Sequence, residues 1–228
     1  MVGRPRTALV TGANRGLGRA VAAALHAAGL RVVLAARDGE QASRAAGELG
    51  EGATAVRLDV TDAASVRSAR AAAGFVDVLV NNAGVLLDAG SDPLSVPMKV
   101  VERAFAVNVL GSWRVSQEFM PAMLENGWGR VVMVSSGTAS FATGVFGGTP
   151  GYSASKVALN AITVMLAEQT RGSGVLVNAV NPGRVRTRMM PAAQRSAEEA
   201  AVDVVRAAML SDDGPTGAFL RGDGAIPW

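Results

Sequence analysis

The sequence predicts an α/β fold in a single domain, residues 1–228, with a doubly wound parallel sheet of about seven strands and helices on both faces. Short runs of β-branched residues alternate with longer alanine-rich segments along the whole chain, as in repeated βα units around a parallel sheet. The crossovers are short and leave no linker for a second domain. Hydrophobic residues make up 49% of the chain and charged residues 18%, so one large core can be buried.

The predicted elements follow one another in alternation. Strands are expected at 7–11, 31–36, 53–59, 77–81, 130–135 and 175–180, with a weaker seventh at 218–221. Helices are expected at 16–28, 41–49, 63–73, 98–125, 152–171 and 197–210. Glycine and proline cluster in 137–151 and 181–191, after the fifth and sixth strands. Because such sheets bind ligands at the carboxyl ends of their strands, the site is expected there.

The composition excludes several kinds of site. The chain has no cysteine and a single histidine, His26, so neither a disulfide framework nor a metal site is predicted. The net charge is +3, but the arginines are scattered from Arg4 to Arg221, so nucleic-acid binding is not expected. No apolar stretch approaches the roughly 20 residues of a membrane span. Because Met1 to Arg6 also lacks the apolar core of a signal peptide, the expected location is cytoplasmic, with no membrane partner.

A glycine-rich turn joins the first strand to the first helix. Its residues are Thr11-Gly12-Ala13-Asn14-Arg15-Gly16-Leu17-Gly18. Glycines permit a tight turn and a close approach of backbone amides to a pyrophosphate, which the positive end of the helix also attracts. Structural turns use glycine too, but this position between strand and helix favours a dinucleotide. The expected contacts are Gly12, Asn14, Arg15, Gly16, Leu17 and Gly18.

Tyr152, the only tyrosine in the chain, lies four residues before Lys156 at the start of an apolar helix. Their side chains are expected on one helix face, about 6 Å apart along the axis. Tyrosine has an ordinary pKa near 10, and a neighbouring ammonium lowers it by stabilising the phenolate. Among the 22 basic residues only Lys99 and Lys156 are lysines, which indicates that arginine does not serve at position 156. The alternative is that the pair has no catalytic role and is simply a tyrosine and a solvated lysine at the start of a helix.

Two polar residues complete the predicted catalytic group. Ser136, at the end of the fifth strand, offers the fixed donor that a carbonyl oxygen gaining negative charge requires. Ser140 lies nearby and is the alternative. Asn108 interrupts an apolar helix face, which is unfavourable unless its amide is satisfied. A plain hydrogen bond to the backbone is the alternative role of this amide.

Five motifs occur in order along the chain: the glycine-rich turn, Asn81-Asn82-Ala83-Gly84, Asn108, Tyr152-Ser153-Ala154-Ser155-Lys156 and Pro182-Gly183. Together they resemble the short-chain dehydrogenase/reductase family, and the end of the chain resembles its carbonyl-reductase-like branch. The resemblance implies a Rossmann-type fold. It implies that Lys156 also bonds the nicotinamide ribose, and that Asn108 joins a proton relay through water to Lys156. Ser136 lies farther before Tyr152 than in many relatives, which indicates an insertion in 141–150.

The same resemblance assigns the remaining nucleotide contacts. Arg37, at the end of the second strand, and Arg15 are expected to bind a 2′-phosphate, which favours NADP(H), with NAD(H) as the alternative. Asp38 could instead neutralise Arg37. A helix cap is the alternative role of Asp59, and Asp62 competes for it. The other expected contacts are Asp59 and Val60 with adenine, Asn81, Ala83 and Gly84 on the adenosine ribose side, and Pro182, Gly183, Val185 and Thr187 at the nicotinamide.

The implied function is reversible NADPH-dependent reduction of a ketone or aldehyde to an alcohol, with Tyr152 as proton donor and Ser136, Lys156 and Asn108 assisting. The alternatives are a non-catalytic NADP(H)-binding regulator and an NAD-dependent alcohol dehydrogenase. The expected partner is a small carbonyl or alcohol substrate. Its pocket is expected to be open and shaped by Phe141, Phe146, Met189 and Met190. The helix interface of the family allows a homodimer or homotetramer, and a monomer stays open.

Overall fold

The computed structural model describes residues 4–228, so Met1 to Gly3 of the start considered above lie outside the described residues. Within the described chain, eight strands form one sheet. They are β1 (Thr7–Thr11), β2 (Arg31–Ala36), β3 (Ala53–Arg57), β4 (Val78–Asn81), β5 (Gly129–Val134), β6 (Val175–Val180), β7 (Phe219–Arg221) and β8 (Gly224–Ile226). In residues 4–228 we find no helix that is long and apolar enough to cross a bilayer.

The strand order is β3-β2-β1-β4-β5-β6-β7-β8. Neighbouring strands are parallel, except that β8 runs antiparallel to β7. The chain adds β2 and β3 on one side of β1 and then adds β4 and its successors on the other side. This reversal opens a crevice at the carboxyl ends of β1 and β4, which is where open α/β sheets bind their ligands.

The helices cover both faces of the sheet. They are α1 (Gly16–Ala27), α2 (Gly39–Leu49), α3 (Ala63–Ala73), α4 (Met98–Phe105), α5 (Ser112–Asn126), α6 (Pro150–Gln169) and α7 (Ala197–Ala208). A π-helical turn (Ala106–Gly111) joins α4 to α5, and a 3₁₀ turn (Gly137–Ala139) follows β5. A π turn inside an α-helix is frequent at functional sites.

The sheet buries one core on each face. Alternate side chains of β1 divide between them, so that Ala8 and Val10 pack with α1, α2 and α7, and Leu9 packs with α3, α5 and α6. All five residues of β1 are buried, as expected for a parallel strand covered on both sides. The predicted fold class is confirmed.

The differences from the prediction are local. Strands β1, β2 and β6 have the predicted bounds, but β8 was not predicted, because a three-residue glycine-containing strand carries almost no periodic signal. The helix predicted at 98–125 is interrupted by the π turn. Apolar periodicity cannot reveal a single extra residue within a turn, so the sequence showed one continuous helix.

Candidate active site

A cavity of about 1240 Å³ lies at the carboxyl edge of the sheet. The loops that follow the strands β1 to β6 form its walls. It is large enough for a dinucleotide and a small second ligand, since drug-sized ligands occupy pockets of about 300–1,000 Å³. The predicted site residues that line it are Gly12, Asn14, Arg15, Gly16, Leu17, Gly18, Arg37, Asp59, Val60, Ala83, Gly84, Ser136, Tyr152, Lys156, Pro182, Gly183, Val185 and Thr187.

The glycine-rich turn closes one end of this cavity. Gly12 and Gly16 have φ of +67° and +54°, a region that glycine adopts without steric cost. At Gly18 a Cβ atom would lie 2.4 Å from Asn82 Nδ2 and 2.5 Å from the Gly12 carbonyl oxygen. The first turn of α1 contains no acidic residue, and the Arg15 side chain does not cap it within the described chain. These exposed amides fit the pyrophosphate of a dinucleotide.

Asn82 holds the turn in place, although it was not among the predicted contacts. Its Nδ2 donates to the Thr11 carbonyl oxygen at 2.8 Å, while Thr11 Oγ1 accepts from the backbone amides of Asn82 and Ala83 at 3.0 Å each. The turn after β1 is therefore fixed to the segment after β4. Only the position of Asn82, next to a residue that was predicted to bind, pointed to this role.

Arg37 is exposed to solvent and lines the cavity after β2. It makes no hydrogen bond or ion pair with any residue of 4–228. Asp38 does not neutralise it: the Asp38 carboxylate caps α2, accepting from Gln41 N at 3.0 Å and from Gln41 Nε2 at 2.6 Å. The Gln41 backbone bond lowers the pKa of Asp38. Arg37 is therefore available to a ligand.

Asp59 lies beside Arg37 and does not cap a helix. Asp62 caps α3 instead, through the amide of Ala64. Partial burial opposes ionisation of Asp59, but hydrogen bonds from Thr61 and the charges of Arg37 and Arg103 outweigh it and lower the pKa. The carboxylate is thus charged at the wall where adenine was predicted.

Asn81, which was predicted to contact the nucleotide, does not line the cavity. It is the last residue of β4 and is buried, and its Nδ2 donates to Ser116 Oγ at 3.0 Å on the α5 side of the sheet. Side chains alternate along a strand, so Asn81 faces away from the cavity while Asn82, one position later, lines it. The sequence did not show which asparagine of the pair faced the ligand.

Asn108 lies in the π turn, fully buried. Its Oδ1 accepts from Val85 N at 2.8 Å, and its Nδ2 donates to the Val85 carbonyl oxygen and to Ser155 Oγ, each at 2.9 Å. The bonds to Val85 match the alternative role considered above, a hydrogen bond to the backbone. The Asn108 side chain does not line the cavity. The predicted water relay through Asn108 to Lys156 remains a prediction. Gly84 keeps the space open here, because a Cβ would lie 3.3 Å from Asn108 Oδ1 and 3.7 Å from Lys156 Nζ.

The three serines near the end of β5 have different environments. Ser135 donates to Asn160 Oδ1 and Ser140 donates to the Pro227 carbonyl oxygen, and both are buried. Ser136 lines the cavity and accepts from Thr138 Oγ1 at 3.0 Å. Because Ser136 accepts this bond, its own proton remains available for donation. The geometry therefore favours Ser136 over Ser140.

Tyr152 and Lys156 occupy the first turns of α6. Lys156 is buried, its Nζ lies 5.7 Å from the centre of the Tyr152 ring, and it donates to the Val134 carbonyl oxygen at 2.7 Å. Burial lowers the pKa of Lys156 to about 8. Burial raises the pKa of Tyr152, and its hydrogen bond with Ser136 acts in the opposite direction.

The direction for Tyr152 is opposite to the predicted one. In the protein without nucleotide, the loss of water around the phenol has a larger effect on the pKa than the lysine 5.7 Å away. A raised pKa keeps the phenol protonated, which suits a proton donor.

The loop after β6 forms another wall of the cavity. Asn181 Oδ1 accepts from Gly183 N at 2.9 Å, and Thr187 packs near Gly16, which brings the two loops together. Phe146, Met189 and Met190 line the cavity as predicted. Phe141 does not: it is 71% exposed and lies outside the lining, because its loop turns towards the end of the chain, where Ala142 N donates to the Trp228 carbonyl oxygen.

Known proteins share this fold and much of this sequence. Residues 6–198 match the model of the short chain dehydrogenase family. The oxidoreductase UcpA of Salmonella typhimurium is 38% identical over 192 residues, covering 81% of this chain and 71% of UcpA. The 3-oxoacyl-[acyl-carrier-protein] reductase FabG of Escherichia coli is 34% identical over 229 residues, covering 96% of this chain and 91% of FabG. A crystal structure of 3-ketoacyl-(acyl-carrier-protein) reductase from Brucella melitensis complexed with NADH has a TM-score of 0.87 at 28% identity, covering 94% and 95% of the two chains.

Proposed function

The chain belongs to the short-chain dehydrogenase/reductase family of oxidoreductases, and on that basis we propose that it reduces a ketone or aldehyde carbonyl with NADPH. The proposal rests on one observation. Ser136, Tyr152 and Lys156 line the same cavity as the glycine-rich turn. Ser136 follows β5, the tyrosine and the lysine lie on α6, and the glycine-rich turn follows β1, and the fold brings all three segments to the same edge of the sheet. A cytoplasmic location and assembly into a dimer or tetramer remain predictions.

The residues present fit a nicotinamide nucleotide. The glycine-rich turn, with no room for a Cβ at Gly18, would hold the pyrophosphate, Arg37 and Arg15 the 2′-phosphate, and Lys156 the nicotinamide ribose. When bound, a reduced nicotinamide supplies hydride to the carbonyl carbon. Ser136 donates a hydrogen bond to the carbonyl oxygen, and Tyr152 donates the proton that this oxygen takes up. The Lys156 ammonium then stabilises the phenolate that remains.

The test of the function is the oxidation of NADPH, followed by its absorbance, with a panel of ketones, aldehydes, quinones and sterols. We expect turnover with at least one carbonyl compound and the corresponding alcohol as product. Tight NADPH binding without turnover on any member would instead support a non-catalytic nucleotide-binding protein. Turnover with NADH alone would support an NAD-dependent enzyme.

One substrate class, the 3-oxoacyl thioesters, has specific support. The chain covers nearly the full length of relatives described as 3-oxoacyl-[acyl-carrier-protein] reductases, and Arg184, Arg188 and Arg221 line the cavity without an ion pair to any acid of the described chain. A thioester on a phosphorylated carrier would bring the complementary charge. Acetoacetyl-CoA should therefore exceed an uncharged ketone such as 2-pentanone in kcat/KM, and high salt should reduce the difference. Equal values for both compounds would exclude this class.

Replacing Arg37 with aspartate should shift the cofactor preference from NADPH towards NADH. A charge-assisted hydrogen bond contributes about 1.5–3 kcal/mol, so we expect the Kd of NADPH to rise by about 10- to 100-fold, whereas the Kd of NADH should change by less than about threefold. Fluorescence titration of both nucleotides measures this ratio.

The matched control for this variant is Arg57→Asp. Arg57 is exposed at the end of β3, pairs in register with Ala36, and lies outside the lining of the cavity. It should leave both Kd values unchanged. Similar efficiencies with NADH and NADPH in the unaltered enzyme would disprove the role of Arg37.

The activity should decline at alkaline pH because of Lys156. Its pKa is lowered to about 8 by burial, so the ammonium is present below that pH and is lost above it. Since kcat/KM for NADPH reports the free enzyme, its value should fall as the pH rises through about 8. The phosphates of a bound nucleotide favour the ammonium form of Lys156. The fall in kcat should therefore occur at a higher pH than the fall in kcat/KM. Constant kcat/KM up to pH 10 would contradict this assignment.

A further inference from the structure

Asp88 is a buried carboxylate in the loop after β4, only 2% exposed. Its Oδ2 accepts hydrogen bonds from the backbone amides of Gly151 at 2.5 Å and Tyr152 at 3.2 Å, which belong to the first turn of α6. Its Oδ1 has no hydrogen-bond partner among the residues that the structure describes. A carboxylate buried with an unpartnered oxygen is unfavourable, so its position calls for a functional explanation.

Asp88 replaces the local cap of α6. The N-cap residue, Thr149, makes no side-chain bond to the free amides of this helix within the described chain, and its hydroxyl contacts Ser153 instead. The first amides of a helix need an acceptor. Here that acceptor comes from a residue 63 positions before Gly151, so the start of the catalytic helix is set by tertiary structure.

The glycine before the tyrosine allows the close approach of Asp88. A Cβ at Gly151 would lie 3.1 Å from Asp88 Oδ2 and 3.2 Å from the Val101 Cα atom in α4. Such contacts leave little room for a larger residue. Gly151 thus lets the carboxylate reach the amide of Tyr152 itself.

The loop that carries Asp88 also lines the nucleotide cavity. Ala83 and Gly84 form part of its wall, and Val85 is held by Asn108, which bonds Ser155 of α6. Residues 83–88 therefore reach the catalytic helix at two places, through Asn108 and through Asp88. A segment beside the nucleotide is in this way connected to the backbone of Tyr152.

We propose that Asp88 is a positioning residue that fixes the first turn of α6, so that the Tyr152 hydroxyl stays beside Ser136 when the nucleotide is bound. The inference rests on the proposed function for its kinetic consequences. The fixed position of Tyr152 does not depend on the identity of the substrate. A displacement of about 1 Å in a catalytic group can lower the rate by up to 10²-fold. Loss of this cap would let Tyr152 move, so it should lower kcat.

Three variants test the proposal kinetically. In Asp88→Ala we expect kcat to fall by about tenfold or more, while the KM for NADPH changes less than twofold. Asp88→Asn retains an oxygen that accepts the same bonds, so it should recover kcat to within about threefold. Asp62→Ala is the matched control, because it removes the same kind of cap from α3 and should leave kcat unchanged. A kcat for Asp88→Ala equal to that of Asp62→Ala, or an Asp88→Asn as impaired as Asp88→Ala, would overturn the proposal.

A second measurement does not depend on turnover. Because Tyr152 is the only tyrosine, ultraviolet titration of the folded protein reports its phenolate alone. Loosening of the first turn should admit water, so the titration of Asp88→Ala should move down towards the ordinary tyrosine value, while Asp88→Asn and Asp62→Ala match the unaltered protein. An unchanged titration in Asp88→Ala would overturn the proposal. If no carbonyl substrate were found, this titration would still test Asp88 while the proposed function failed.

Discussion

Replacing Tyr152 with phenylalanine should lower kcat for carbonyl reduction by about 10²- to 10⁴-fold, the usual contribution of a general acid. The phenylalanine ring fills the same space beside Lys156 but has no proton to donate. Since the residues proposed to bind the pyrophosphate and the 2′-phosphate belong to other loops of the cavity, the Kd of NADPH should change by less than about threefold. Stopped-flow turnover and equilibrium titration of the nucleotide measure the two quantities.

Two serine variants provide the comparison for Tyr152→Phe. Ser136→Ala removes the hydroxyl that lines the cavity and should also reduce kcat, by about 10- to 1,000-fold. Ser140→Ala removes a hydroxyl that bonds Pro227 outside the cavity and should leave kcat within about twofold. Near-normal turnover in Tyr152→Phe would reject the tyrosine as proton donor.

The parts of the fold that could be predicted are those with a local signal. Strands β1, β2 and β6 are continuous buried runs bounded by turn residues, so their bounds followed from the sequence. The glycine-rich turn and the Tyr152–Lys156 pair each lie within one short segment. Both could therefore be singled out in the sequence, and the fold brings them to one cavity.

The parts that could not be predicted depend on contacts between distant segments. Asn82 and Asp88 act on residues about 70 and 63 positions away, and a lone asparagine or aspartate carries no sign of such a partner. Asn81 and Asn82 are adjacent, and only the end of β4 decides which one faces the ligand. The rise in the pKa of Tyr152 depends on burial, which the sequence around it does not show.

Gly18→Ala should have the second largest effect, on nucleotide binding. The new methyl group would meet Asn82 Nδ2 and the Gly12 carbonyl oxygen at 2.4 and 2.5 Å. Neither atom can move freely, because Asn82 Nδ2 is bonded to the Thr11 carbonyl oxygen and Gly12 lies in the glycine-rich turn. The turn must therefore shift away from α1, which carries it out of reach of the pyrophosphate.

We expect the Kd of NADPH to rise by at least about 100-fold in Gly18→Ala, and the free energy of unfolding to fall by about 1–3 kcal/mol as in other overpacked sites. Gly47→Ala is the matched control. Gly47 lies within α2, and a Cβ there meets nothing within 4 Å in the described structure. Alanine favours a helix over glycine by about 1 kcal/mol, so this control should be as stable as the unaltered protein or more stable, with an unchanged Kd. If calorimetric titration found NADPH bound equally by both variants, the close approach at Gly18 would not be what shapes the phosphate site.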